Sequence, residues 1–99
     1  MAKYDVYPDP AGNGYLLDVQ ADLLEGLNTR TVVPLMLSEN APVPGRRLNQ
    51  AFDINGTRHL MVTQYLSAVP AIMLDKPVAN FSGWHDEITN ALDMLFQGF

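Results

Sequence analysis

Cysteine is missing from the 99-residue sequence. Its absence excludes disulfides, Cys-ligated zinc and thiol catalysis. Basic residues are scarce, six Lys and Arg against eleven Asp and Glu, for a net charge of −5. Such a surface repels phosphate backbones, whereas a nucleic-acid binder ordinarily shows a basic stripe. The nearest approach to one is Arg46-Arg47. Nothing basic or aromatic continues that pair, so it reads as a solvated loop. Long apolar runs are missing too. No window nears the roughly 18 apolar residues of a membrane span. The opening MAKYDVYPDP lacks the apolar core of a signal peptide. A cytoplasmic protein without membrane contact is therefore expected. An apolar share of 47% suits a single globular domain over residues 1–99, and a charged share of only 17% suits a surface partly covered by another protein.

Reactive constellations are equally sparse. His59 lies in a strand-like run and His85 beside Asp86, and neither has a second histidine at a metal-ligand spacing. Both read as structural or surface residues. The serines at 38, 67 and 82 lack a nucleophile-elbow context. Gly12-Asn13-Gly14 is followed by a strand, without the lysine and helix of a phosphate loop. Asp18 and Asp22 form a carboxylate pair by spacing but read as solvated charges. No catalytic residue, metal site or cofactor is expected.

What is present is a run of strand signals and then one helix. Tyr4–Tyr7 and Tyr15–Gln20 flank the turn-rich segment from Pro8 to Gly14, predicting a hairpin with a long loop. In the second strand Tyr15, Leu17 and Val19 share one face, and Leu16, Asp18 and Gln20 the other. Asp22–Asn28 reads as a turn-rich connection carrying leucines. Thr31–Leu35 reads as a strand in which Pro34 demands an edge or a bulge, because it has no N–H for a ladder. Residues 38–47, with two prolines and a glycine in four positions, predict a loop. Asn55-Gly56 between Phe52–Ile54 and Arg58–Thr63 predicts a type I′ hairpin. A further strand is expected over Val69–Leu74, with Pro70 again at an edge or bulge. From Ser82, a candidate N-cap, the period changes to 3.6. Trp84, Ile88, Ala91, Leu92 and Leu95 fall on one helical face, Asp86, Asn90, Asp93 and Gln97 on the opposite one. Gly98 is a natural helix terminator. The fold class is α+β: a small antiparallel sheet of about five strands, with one C-terminal helix packed across it as a two-layer domain or partly open SH3-like barrel.

Four stretches, in order and spacing, resemble the CcdB family of toxins from plasmid and chromosomal toxin–antitoxin pairs. They are Asp18-Val19-Gln20-Ala21-Asp22-Leu23-Leu24, Arg30-Thr31-Val32-Val33-Pro34-Leu35, Ala68-Val69-Pro70, and Val78–Ser82 running into Ile88–Phe96 and Gly98. Only residues 36–50 align poorly. The resemblance implies a five-stranded sheet, a small extra sheet and a C-terminal helix, in a homodimer with the helices near its twofold axis. It implies a topoisomerase poison that binds the A subunit of DNA gyrase and traps the gyrase–cleaved-DNA complex, blocking replication and transcription. A cognate CcdA-like antitoxin would neutralise it, and the pair would repress their own operon.

Carried over by position, the implied gyrase-binding residues are Leu23, Leu24 and Glu25; Asp86, Asn90 and Asp93; and Gln97, Gly98 and Phe99. Antitoxin contact is expected to overlap the helix end and to involve the 8–14 loop. One departure stands out: well-known members carry tryptophan before the final glycine and an aliphatic residue after it, where this chain has Gln97 and Phe99. Two other readings follow. One is an endoribonuclease toxin of the same fold, using His59 or Arg58. The other is a binding-only homologue that keeps its antitoxin but has weakened gyrase contact. In LDMLFQGF, Leu92 and Leu95 face the sheet with Phe96 at their border, and Gly98 redirects Phe99 towards a partner, away from the core.

Overall fold

A computed structural model describes residues 1–12, 14–41, 45 and 47–98. Seven strands form one curled antiparallel sheet: β1 (Asp5–Pro8), β2 (Tyr15–Asp18), β3 (Thr29–Leu37), β4 (Ala51–Ile54), β5 (Thr57–Met61), β6 (Ser67–Pro70) and β7 (Ala79–Asn80). Their order is β4-β5-β3-β2-β1-β7, with β6 also paired to β3. Among the described residues, a single α-helix, α1 (His85–Gln97), follows. The predicted α+β class is therefore what is found, with more strands than the five expected.

β3 explains both the sheet and its proline. Along one edge it pairs β2, from Asp18↔Val32 to Tyr15↔Leu35. Along the other, Thr29–Val32 pair β6 and Leu35–Leu37 pair β5. Pro34 falls in the gap between those partners, where a missing N–H breaks no rung. Its carbonyl is still used, accepting the Val62 N–H at 2.9 Å. The strand is central, yet the proline sits at a local break, as its chemistry demands. Pro70 closes β6, which pairs β3 alone among the described strands.

The β4–β5 turn has Asn55 at φ 54° and Gly56 at φ 78°, the two left-handed residues a type I′ hairpin needs. The β1–β2 loop reaches β2 through Gly14, at φ 104°. A Cβ there would lie 2.4 Å from the Leu35 carbonyl oxygen, so both backbone angle and space require glycine.

One face of the sheet holds the main core: Val6, Leu17, Val33, Leu35, Phe52, Ile54 and Met61, closed by Phe81, Ile88 and Ala91. Tyr15, Val19 and Leu92 pack at its margin, so β2 divides its faces as its alternation predicts. The other face buries Tyr7, Leu16, Val32 and Leu74, with Val69 beside them.

Four expectations need correction. Ala71–Met73 is a 3-10 turn and not the end of a strand. Ala79–Asn80 form β7, which the sequence reading missed; Asn80 pairs Asp5 at the sheet edge. Ser82 does not cap α1. It lies in a 3-10 turn, and its N–H donates to Asn80 Oδ1 at 2.9 Å. Trp84 precedes the helix, is half exposed, and sets its ring edge against Phe52 with centroids 5.7 Å apart. The core contact of α1 thus rests on Ile88 and Ala91, with Leu92 beside them. Gly98 ends the helix as expected, at φ 80° with its N–H donating to Met94 O at 3.1 Å.

Candidate functional site

The expected partner-binding residues fall on two elements. The first is the Asp22–Leu24 3-10 turn that follows β2. Leu23 is 93% exposed and Leu24 is about half exposed, with Glu25 solvated beyond them. A leucine with almost no packing of its own contributes nothing to folding through burial. It is there as surface. The second element is the outer face of α1, where Asp86, Asn90 and Gln97 are exposed and Asp93 is half-buried. Asp86 and Glu87 occupy the first turn, where the helix dipole favours carboxylates. Phe96, placed by its spacing at the border of the buried face, is 68% exposed and adds apolar area near the helix end. Among the described residues, no hydrogen bond joins the turn to the helix. Gly98 is exposed, and Phe99 lies outside the described residues.

The turn is anchored from below by a buried polar network that sequence reasoning missed. Asp18 is fully buried and is not the solvated carboxylate its spacing with Asp22 suggested. Its Oδ2 accepts Arg30 Nε–H at 2.7 Å and lies 2.6 Å from Arg30 Nη2. Its Oδ1 accepts the Gln20 N–H at 3.0 Å. Burial pushes the Asp18 carboxyl up, while the Gln20 N–H and Arg30 pull it back only in part. Arg30 is itself 1% exposed, and its Nη1 finds no acceptor among the described residues. The signal available was the alternation of β2, which put Asp18 and Gln20 on one face. What it lacked was any sign that this second face is also covered.

Beside this pair lies Tyr7, whose hydroxyl is 3.4 Å from Asp5 Oδ2. Burial, with Asp5 and Asp18 nearby, pushes the Tyr7 phenol up from 10.0 to about 12. The folded chain therefore keeps this proton longer than the unfolded chain does. The resulting stability is complete below pH 10 and is lost as the pH climbs from 10 to about 12. Tyr7→Phe is expected to flatten that alkaline loss, as read by denaturant unfolding across the same pH window.

The candidates for catalysis do not converge. Arg58 and His59 are neighbours in β5, so their side chains leave opposite faces. Arg58 lines a cleft with Asp53, Phe81 and Trp84. His59 is buried on the other side, with Nδ1 2.9 Å from Thr57 O and its ring edge-on to Tyr15. His85 is bound to the Tyr4 hydroxyl through Nδ1. Among the described residues, no cluster of three His, Cys, Asp or Glu side chains is disposed to hold a metal. Nor, among them, is any helix long and apolar enough to cross a membrane.

The geometry is that of a displayed surface: an apolar turn, an acidic-to-polar helix face and a buried scaffold beneath. A family model described as CcdB protein matches residues 3–98. That span includes the turn, the scaffold and the helix.

Proposed function

The chain belongs to the CcdB family of toxins from toxin–antitoxin pairs, and we propose that it binds the A subunit of DNA gyrase and traps the gyrase–cleaved-DNA complex. It acts by protein–protein contact, with no reaction of its own. Leu23, Leu24 and Glu25 form one part of the contact; Asp86, Asn90 and Asp93 with Gln97, Gly98 and Phe99 form the other. The observation that carries this reading is Leu23, an aliphatic side chain left 93% exposed on a hydrogen-bonded turn. A net charge of −5 suits a protein that reaches DNA only through another protein. The working species is a cytoplasmic homodimer. A CcdA-like antitoxin removes it from gyrase and joins it in repressing their operon.

The endoribonuclease reading loses support from Arg58 and His59, which point apart. A binding-only homologue is favoured by one observation, Gln97 at the place of the family's tryptophan, since interface tryptophans often carry much of the binding energy.

Purified protein is expected to capture isolated gyrase A subunit, and overexpression to arrest bacterial growth with covalent gyrase–DNA complexes accumulating. Unimpaired growth together with no capture would overturn the proposal. Capture of antitoxin but not of gyrase would favour the binding-only homologue.

A further inference from the structure

The Leu23–Leu24 turn has almost no packing to fix it, yet a rigid interface contact needs a fixed backbone. Gln20 supplies the fixing. The main-chain ladder between β2 and β3 runs to the bond from Val19 N–H to Thr31 O, at 3.0 Å. Beyond that point the chain leaves the sheet, and the Gln20 side chain takes the place of the next rung. Its Oε1 accepts the Thr31 N–H at 3.0 Å, and its Nε2 donates to Leu24 O at 3.0 Å. The amide orientation is dictated by its partners, because Thr31 offers only a donor and Leu24 only an acceptor. Gln20 is 7% exposed, and its own N–H is held by Asp18 Oδ1. A continuous line therefore runs from Arg30 through Asp18 and Gln20 to the carbonyl of Leu24. Leu24 O also accepts the Leu27 N–H at 3.1 Å, so this oxygen anchors the C-terminal end of the turn, while Asp22 Oδ1, accepting the Lys3 N–H at 2.7 Å, anchors its start.

We infer that Gln20 is a positioning residue for the partner contact: its buried amide holds the turn so that Leu23 is displayed in one geometry. This rests on the gyrase reading above. Gln20 touches no partner itself. Its effect passes through Leu24 O to the turn, and so it shows in how long the complex lasts more than in how fast it forms.

Two variants test it. Gln20→Glu keeps an acceptor for Thr31 and replaces the donor to Leu24 O with a second acceptor. Gln20→Met keeps the length and removes both bonds without burying charge, so it carries the test if the Glu variant fails to fold. Amide hydrogen exchange at Leu24, Glu25 and Leu27 is expected to speed up by about tenfold or more, with β1, β2 and β5 amides unchanged. Dissociation from purified gyrase A subunit is expected to speed up by a similar, roughly tenfold factor. In a background with Leu23, Leu24 and Glu25 all changed to Ala, the same Gln20 change is expected to alter dissociation by less than about twofold, because its route to the partner is gone.

Faster exchange with unchanged dissociation overturns the positioning role and leaves the gyrase reading standing. So does an equal loss of binding in both backgrounds, which would mean a general structural effect. Wild-type gyrase affinity in that triple-alanine background overturns the turn as a contact, and the role of Gln20 with it.

Discussion

Arg30→Met is expected to cost about 3–5 kcal/mol of folding stability, because it strands a buried carboxylate without its counter-charge. Asp18 is 0% exposed, and its Oδ2 meets both Nε and Nη2 of Arg30. Against a total stability of about 5–15 kcal/mol, a loss of that size leaves a marginal domain. The loss also has a pH signature. With Arg30 gone, burial dominates Asp18 still more, and its folded-state pKa rises further above the unfolded value. The deficit is then full at pH values above the folded pKa and shrinks as the pH falls through it. The double variant Arg30→Met, Asp18→Leu is expected to recover most of the loss, since a buried pair replaced by apolar groups is often neutral. Urea unfolding of the three proteins at neutral and mildly acidic pH reads all of this. A single variant as stable as the parent would show that the pair carries no stability.

Removing residues 97–99 is expected to leave melting nearly unchanged while lowering gyrase affinity by about a hundredfold or more, roughly 3 kcal/mol. The helix is held through Ile88, Ala91 and Leu92, all upstream of the cut, and Gln97 and Gly98 are exposed. Among the described residues, the cut removes the last residue of α1 and the cap from Gly98 N–H to Met94 O, each worth about 1 kcal/mol or less. The complementary change, Gln97→Trp, is expected to tighten gyrase binding by about thirtyfold, near 2 kcal/mol. Calorimetry for melting and surface-immobilised gyrase A subunit for affinity separate the two effects. A truncated protein that melts well below the parent would assign the tail to the core. Unchanged affinity would remove the tail from the interface.

The sequence disclosed those features that depend on neighbours along the chain. Asn55-Gly56 needs only its own backbone preferences to turn, and it turned as read. Ile88, Ala91 and Leu92 declare their face by period, as do Tyr15, Leu17 and Val19. Where the outcome depended on distant residues, the reading faltered. Asp18 and Arg30 are twelve residues apart, and no spacing rule says that a second sheet face will be covered by Leu74 and its neighbours. β7 is two residues long and exists because Asp5 and Val6 offer an open edge. Trp84 fits the helical period, yet the chain spends that position on a 3-10 turn that brings its ring to Phe52. The exposed helix face was legible as a polar stripe, but its proposed use as a contact came from the family resemblance and not from periodicity. Leu23 and Leu24 stood out by themselves only as leucines in a turn-rich stretch, and the family resemblance named them as an implied contact. Gln20 was visible in the resembling motif, but its task depends on Thr31 and Leu24 being where the fold puts them.

The pairing of β7 with β1 has a consequence for how the protein is made. Asp5 meets Asn80 and Val6 meets Ala79, so the first of the described strands waits for the last of them. Tyr4 and Val6 share their core with Phe81, Ile88 and Ala91, which emerge later still. A ribosome that has not yet released β7 and α1 therefore holds an unclosed sheet with no helix over it. The turn bearing Leu23 is made early, but the helical half of the proposed contact emerges only after β7. A nascent chain thus lacks the complete proposed contact until α1 has emerged, an interval in which an antitoxin can be present first.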